Sequence, residues 1–239
     1  MAAHEGIHLT EAVSLFFPML NEEGNIRRAV ESALTVLEAV THHCEVIVVD
    51  DGSRDETGAI ADRLAASDCR VRVVHHPENR GYGAALRSGF AAARYPLVAF
   101  VDGDNQFDLA ELAILLDAVD GFDLVSGYRV ARQDPAIRRL NAFLYNRLAR
   151  ALFDIPLRDV NCGFKIYRRE LVQRLLPQLE TTGALINVEM LARSRKLGAR
   201  VREVGVNHYP RITGSPTGGN LAVIFRAAHE LVALSRVLR

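Results

Sequence analysis

The sequence predicts an α/β fold, with a Rossmann-like, mostly parallel central sheet flanked by helices in a single domain. Short runs dense in Val, Ile and Leu alternate along the chain with longer amphipathic segments. Those short runs lack the in-out alternation of a half-exposed strand, so both of their faces are buried. With 239 residues, 49% of them hydrophobic, the chain can bury one substantial core.

Val13–Phe17 reads as the first strand, and Glu22–Val40 as a helix, with Ile26, Val30, Ala33, Leu34 and Leu37 on one face and acidic residues in the first turn. Glu45–Val49 is a buried strand, Thr57–Ala66 a helix and Val71–His75 a third strand. A helix over Gly83–Arg94, the strand Leu97–Val101, a helix over Leu109–Val119 and the strand Asp123–Ser126 follow. The second half is less regular. Pro135–Phe153 is helical and basic, the stretch RDVNCGFKIY at 158–167 reads as a polar turn, and Ala184–Leu197 reads as a helix. The strand Val201–Val206 and a Gly/Pro/Thr-rich loop then lead to a last helix, Leu221–Leu238.

Lys plus Arg and Asp plus Glu number 29 each, so no global field favours nucleic acid or repels an acidic ligand. Cys44, Cys69 and Cys162 are scattered, without the C-x-x-C spacing or the histidine cluster of a zinc site, which fits a reducing cytoplasm. The N-terminus is too polar for a signal peptide, and no apolar run approaches the roughly 20 residues that span a bilayer. The expected location is cytoplasmic, with any membrane contact peripheral, at the inner face of the cell membrane.

In an open sheet of this kind ligands bind beyond the carboxyl ends of the strands. The polar clusters fall there: Asn21-Glu22-Glu23 after the first strand, Asp50-Asp51-Gly52-Ser53 after the second, and Asp102-Gly103-Asp104 after the fourth. Two aspartates one residue apart at a strand end can aim oxygens at one hard cation such as Mg²⁺ or Mn²⁺. Helix capping competes with this reading, for Asp108 before the fourth helix and for the DDGS turn, where Ser53 or Asp55 would cap the next helix. Like charges converging on one edge repel unless a cation or ligand compensates them. Gly81 and Gly83 superficially suggest a dinucleotide fingerprint, but Leu86 stands at the third glycine position and the stretch does not follow the first strand. They read as a tight helix start.

The stretches FFPMLNEEGNI, VIVVDDGSRDET, HPENRGYGAALRSGF, VAFVDGDNQFD, SGYR, NCGFKIYRRE and HYPRITGSPTGGN occur in an order that resembles inverting family 2 glycosyltransferases. The branch they most resemble contains dolichyl-phosphate mannosyltransferase and bacterial polyprenyl-phosphate glycosyltransferases, over roughly residues 13–220. The resemblance implies a GT-A domain over residues 1–215. Residues 216–239 are then an amphipathic helix that packs on the domain, on a partner such as a second copy, or on a membrane surface. It implies that Pro18, Asn21 and Glu22 surround the nucleotide, that Asp51 contacts the base with Asp50 beside it, and that Asp102 and Asp104 hold Mg²⁺ or Mn²⁺ against the donor diphosphate. Gln106 lies near the same phosphates, and Arg129 and Arg211 meet phosphate. In the mannosyltransferases a lysine commonly follows the late-loop serine, whereas here Ser215 precedes Pro216 and Thr217, which leaves donor and acceptor identity open.

The activity implied is transfer of a sugar from a nucleoside-diphosphate sugar to a polyprenyl phosphate. A cation held by Asp104 with Asp102 stabilises the leaving diphosphate, and Arg129 and Arg211 add fixed positive charge. A phosphate acceptor needs no strong base. A hydroxyl acceptor does, and Asp159 and Glu189 are the candidates, each with a bland alternative as a turn residue or an arginine-paired helix position. Lys165 and Arg168 are candidates for the acceptor phosphate, with plain surface the better reading of Arg168. Helix 135–153, with Ile137, Leu140, Leu144, Leu148 and Phe153 in one stripe, and the last helix each suit a bilayer surface, a core or a dimer partner. The rivals are the same donor chemistry on a soluble hydroxyl, a non-catalytic nucleotide-sugar module, and an Asp-x-Asp phosphohydrolase. The last is disfavoured because the acidic pair follows the fourth strand instead of opening the domain.

Overall fold

The structure, a computed structural model, describes residues 10–130, 136–211 and 230–238. Seven strands form one sheet in the order β3-β2-β1-β4-β6-β5-β7. They are β1 (Thr10–Met19), β2 (Thr41–Asp50), β3 (Val71–His75), β4 (Leu97–Val101), β5 (Leu124–Arg129), β6 (Phe164–Arg168) and β7 (Val201–Val206). The helices are α1 (Ile26–Val40), α2 (Thr57–Ser67), α3 (Tyr82–Ala92), α4 (Leu112–Asp117), α5 (Ala136–Phe153), α6 (Arg169–Leu175) and α7 (Ile186–Lys196).

Successive side chains of a strand point to opposite faces. Leu15 and Phe17 of β1 therefore join α1, α2 and α4 in one apolar layer, while Phe16 joins α3, α6 and α7 in the other. Phe16, Phe90, Phe100 and Tyr167 interlock in the second layer, with Phe16 and Phe90 edge to face at 4.9 Å and Phe90 and Tyr167 at 5.2 Å. Residues 230–237 are helical, and Leu231 and Leu234 pack into this same layer.

The strand pairing positions the site. β1 is parallel to β2 on one side and to β4 on the other, so the chain reverses its direction of travel across the sheet between them. A crevice opens at such a switch point, between loops that diverge to opposite sides. β6 runs antiparallel between β4 and β5, which brings its leading loop to the edge where those two strands end.

Several expectations are corrected here. The stretch read as a polar turn at 158–167 ends in β6, a strand whose first four residues are buried. Lys165 in its middle broke the apolar run that would have marked it. The helix expected from Glu22 starts at Ile26, with no acidic residue in its first turn; the Glu22 carbonyl accepts from the Asn25 and Ile26 amides, closing a turn that leaves both glutamates outside. The helix expected over Leu109–Val119 is a 3₁₀ turn, Leu109–Glu111, followed by the short α4. Asp108 does cap it, accepting from the Ala110 amide at 3.0 Å. In the stripe expected along α5, Leu148 and Phe153 pack on the core, Leu144 faces outward, and the side chains of Ile137 and Leu140 lie outside the described residues.

Tyr167 is fully buried in the aromatic layer, and its hydroxyl meets no hydrogen-bond partner among the described residues. An unsatisfied buried hydroxyl carries a desolvation penalty of about 1–3 kcal/mol. Tyr167→Phe is therefore expected to stabilise the protein by about 1 kcal/mol, read as a higher urea midpoint at unchanged slope; a lower midpoint contradicts it.

Candidate active site

The loops after β1 and β2 are laced together. The Asn21 amide donates to Ser53 Oγ at 2.9 Å, Asn21 Oδ1 accepts from the Arg54 amide at 2.8 Å, and the Glu22 amide donates to Thr57 Oγ1 at 2.8 Å. Asp55, not Ser53, accepts from the Thr57 amide at the start of α2. Pro18 is half-buried near the end of β1. Asp50 is buried, accepting from the Ser53 amide at 3.0 Å and meeting His75 Nδ1 at 3.0 Å. Asp51 is buried too: one oxygen meets His76 Nδ1 at 2.6 Å and the Arg80 amide at 3.0 Å, and the other accepts from the Gly81 amide at 2.9 Å. His76 Nε2 lies 2.8 Å from Ser88 Oγ. Gly81, at φ 93°, makes the turn into α3 that lets consecutive amides converge on Asp51.

Across the switch point, the Asp102 amide donates to the Gly163 carbonyl at 3.0 Å, and Asp102 Oδ1 accepts from Tyr82 Oη at 2.8 Å. A Cβ at position 163 would overlap the Asp102 carboxylate, so this close approach requires glycine. Asp104 Oδ1 accepts from the Gln106 amide at 3.2 Å, while Oδ2 lies 3.6 Å from Arg211 Nη1. Gln106 and Tyr209 exchange hydrogen bonds at 2.8 Å, which carries the segment 208–211 along the β4 loop and delivers Arg211 to both Asp104 and Glu22.

Burial, with the charge of Asp104 adding to it, pushes the Asp102 carboxyl up to about 7. Burial also raises Asp104. Two carboxylates that resist ionising together are relieved by a divalent cation. Among the described residues no group of three or more His, Cys, Asp or Glu gathers as a metal cage. Two carboxylates with open positions are the donor set that Mg²⁺ and Mn²⁺ share with phosphate oxygens, so the residues present fit such an ion.

Arg129, at the end of β5, grips Asp159 with two bonds, Nε to Oδ2 at 2.7 Å and Nη2 to Oδ1 at 2.8 Å. Burial alone would lower the arginine's pKa; the bond to Asp159 outweighs it and the pKa rises. Lys165 is fully buried, donating to the Cys162 carbonyl and to Asn187 Oδ1 at 3.3 Å, and burial pulls its pKa down. Arg168 donates to the carbonyls of Phe122 and Val119, half-buried rather than a solvated side chain.

Glu189 lies in the first turn of α7. It is fully buried, accepting from the amides of Glu180 and Thr181 and the Thr181 hydroxyl, and it pairs with Arg193 at 2.8 Å. It thereby fixes the 180–182 loop, whose Thr182 carbonyl accepts from the Gly83 amide at the start of α3. Ser215 lies outside the described residues. Sequence reasoning missed His75, His76, Tyr82 and Asn187. His75 ends β3 and His76 follows it on the same carboxyl edge, so the strand-end rule could have found them; nothing in the local pattern marks Tyr82 or Asn187.

A mostly parallel sheet with an acidic pair at its switch point is the frame of the GT-A glycosyltransferases, and the solved structures that share this fold are of that class. Residues 14–176 match glycosyl transferase family 2, and the chain belongs to that family. It is 36% identical over 208 residues to glycosyltransferase AglD of Haloferax volcanii, covering 83% of this chain but only 33% of the archaeal protein. It is 32% identical over 219 residues to the polyprenol monophosphomannose synthase of Mycolicibacterium smegmatis, covering 86% of this chain and 80% of that one. Glucosyl-3-phosphoglycerate synthase from Mycobacterium tuberculosis superposes with a TM-score of 0.72 at 22% identity, covering 95% of this chain and 79% of that one, and has been solved in complex with Mn²⁺ and uridine diphosphate.

Burial would raise the Glu189 pKa, but the hydrogen bonds from Thr181, Arg193 and Glu180 outweigh it and hold the carboxyl below its ordinary value. A carboxyl lowered on folding stabilises fully above its unfolded pKa, and that contribution fades as pH falls through the folded value. Glu189→Gln is expected to cost about 3 kcal/mol at pH 7 by leaving the largely buried Arg193 with only its longer pairing to exposed Glu180, at 3.6 Å. It is also expected to flatten the loss of stability below about pH 4.5, measured as melting temperature against pH. A variant whose acid limb parallels the wild type contradicts the assignment.

Proposed function

We propose that this chain is a metal-dependent inverting glycosyltransferase that moves a sugar from a nucleoside-diphosphate sugar to a polyprenyl phosphate. The observation that carries the reading is the half-buried pair Asp102 and Asp104 at the switch point, with its raised pKa values and with Arg211 beside it. Asp102 and Asp104 would hold Mg²⁺ or Mn²⁺, which when bound supplies Lewis-acid neutralisation of the departing diphosphate. Pro18, Asn21, Glu22, Asp50 and Asp51 line the nucleotide side. Arg211 is poised to exchange its carboxylate partners for phosphate, Gln106 steadies the segment that carries it, and Arg129 adds charge from the β5 side.

The state of the candidate bases favours a phosphate acceptor. Asp159 is gripped by Arg129 and Glu189 by Arg193, so neither is a ready proton acceptor. A phosphate monoester is already anionic near neutral pH, with a second pKa of about 6, and needs none. The relatives point the same way: one is named a polyprenol monophosphomannose synthase and another an undecaprenyl-phosphate sugar transferase. No helix among the described residues is long and apolar enough to cross a membrane. Phe143 and Leu144, 54% and 52% exposed on α5 beside exposed Arg147, suit peripheral contact with the bilayer that would carry such an acceptor.

The test is turnover with a panel of sugar nucleotides, Mg²⁺ or Mn²⁺, and either a short polyprenyl phosphate or soluble hydroxyl acceptors. Product on the polyprenyl phosphate, reduced about a hundredfold or more in Asp104→Ala, is the expected outcome. Product only on a hydroxyl acceptor overturns the acceptor assignment, and unaltered turnover in Asp104→Ala overturns the metal assignment.

A further inference from the structure

The inner face of the acidic pair meets a phenol and, behind it, a buried cation. The Tyr82 hydroxyl donates to Asp102 Oδ1 at 2.8 Å. Lys165, fully buried and bonded to the Cys162 carbonyl and to Asn187 Oδ1 of α7, acts on Asp102 through space and favours its charged form.

The backbone that carries Tyr82 is clamped by the same helix. Tyr82 stands between Gly81 and Gly83, and a Cβ at either glycine would come within 2.8 Å of Thr182. Thr182 belongs to the loop held by Glu189 of α7, and Asn187 is also on α7. The position of Tyr82 is therefore set through the 180–182 loop, which α7 holds.

We propose that Tyr82 is a positioning residue for Asp102: its hydroxyl holds Oδ1 inward and so fixes the plane of the carboxylate that meets the divalent ion. This rests on the metal assignment to Asp102 and Asp104. Outer groups that orient a ligand typically change metal affinity by 10–100-fold, and Tyr82→Phe removes one hydroxyl while keeping the ring.

Mn²⁺ alone is titrated into the full chain and free ion is read by electron paramagnetic resonance. Tyr82→Phe is expected to weaken Mn²⁺ binding about tenfold, and Glu189→Gln, which loosens the loop behind Tyr82, to weaken it in the same direction should the first variant fold poorly. In an Asp102→Asn background Tyr82→Phe is expected to have no further effect, because the group it orients is gone. Wild-type binding that survives Tyr82→Phe within about twofold, or an equal loss in both backgrounds, overturns the positioning role and leaves the metal site standing. No retention of Mn²⁺ by the wild type, or equal retention by Asp104→Ala, overturns the metal assignment and the positioning role with it.

Discussion

Crowding of negative charge at a dry strand end is the constraint around which this molecule is arranged. Asp102 follows a strand in which all five residues are buried, and Asp104 lies two residues further on in the same low-dielectric crevice. Each carboxylate makes the other harder to ionise, and burial makes both harder still. The fold answers with cations at graded distances. Arg211 touches Asp104, while Arg129 and Lys165 act on Asp102 through space without a direct bond to it. Arg129 and Lys165 are themselves tied to other partners, so the compensation is partial, which is the condition in which a divalent ion and its phosphates complete the charge balance.

The antiparallel strand β6 explains how so many groups reach one place. A wholly parallel sheet would offer only the loops that follow strands. By running backwards between β4 and β5, β6 brings the segment before it to the same edge, and with it Asp159 and the Gly163 carbonyl that receives the Asp102 amide. Its register sets Lys165 beside Phe100 and Phe164 beside Val101, so the buried ammonium lies just beneath the acidic pair.

The nucleotide side and the metal side share one support. Asp51 binds the amides at the start of α3 through Arg80 and Gly81, and Tyr82, the next residue, reaches Asp102. The first turn of α3 is therefore a common strut between the ends of β2 and β4. The loop at 180–182, held by Glu189, braces that strut from behind, which accounts for a buried carboxylate that otherwise resembles a catalytic base.

Local chemistry alone determined the strands β1 to β5 and β7, the helices α1 to α3, α5 and α7 and the acidic clusters at the strand ends, because continuous apolar runs and helical spacing report on their own few neighbours. Asp102 and Asp104 were legible for the same reason: a D-x-D after an apolar strand is a local pattern with a strand-end consequence. Strand β6 was not legible, since Lys165 disguises it and only its neighbours β4 and β5 give a lysine reason to be buried there. Whether Asp159 and Glu189 were bases or anchors also lay beyond the sequence, because that depends on which arginine the folded chain brings within 3 Å of them. The bond from Tyr82 to Asp102 joins the start of α3 to the end of β4, and only tertiary packing brings these two groups within hydrogen-bonding distance.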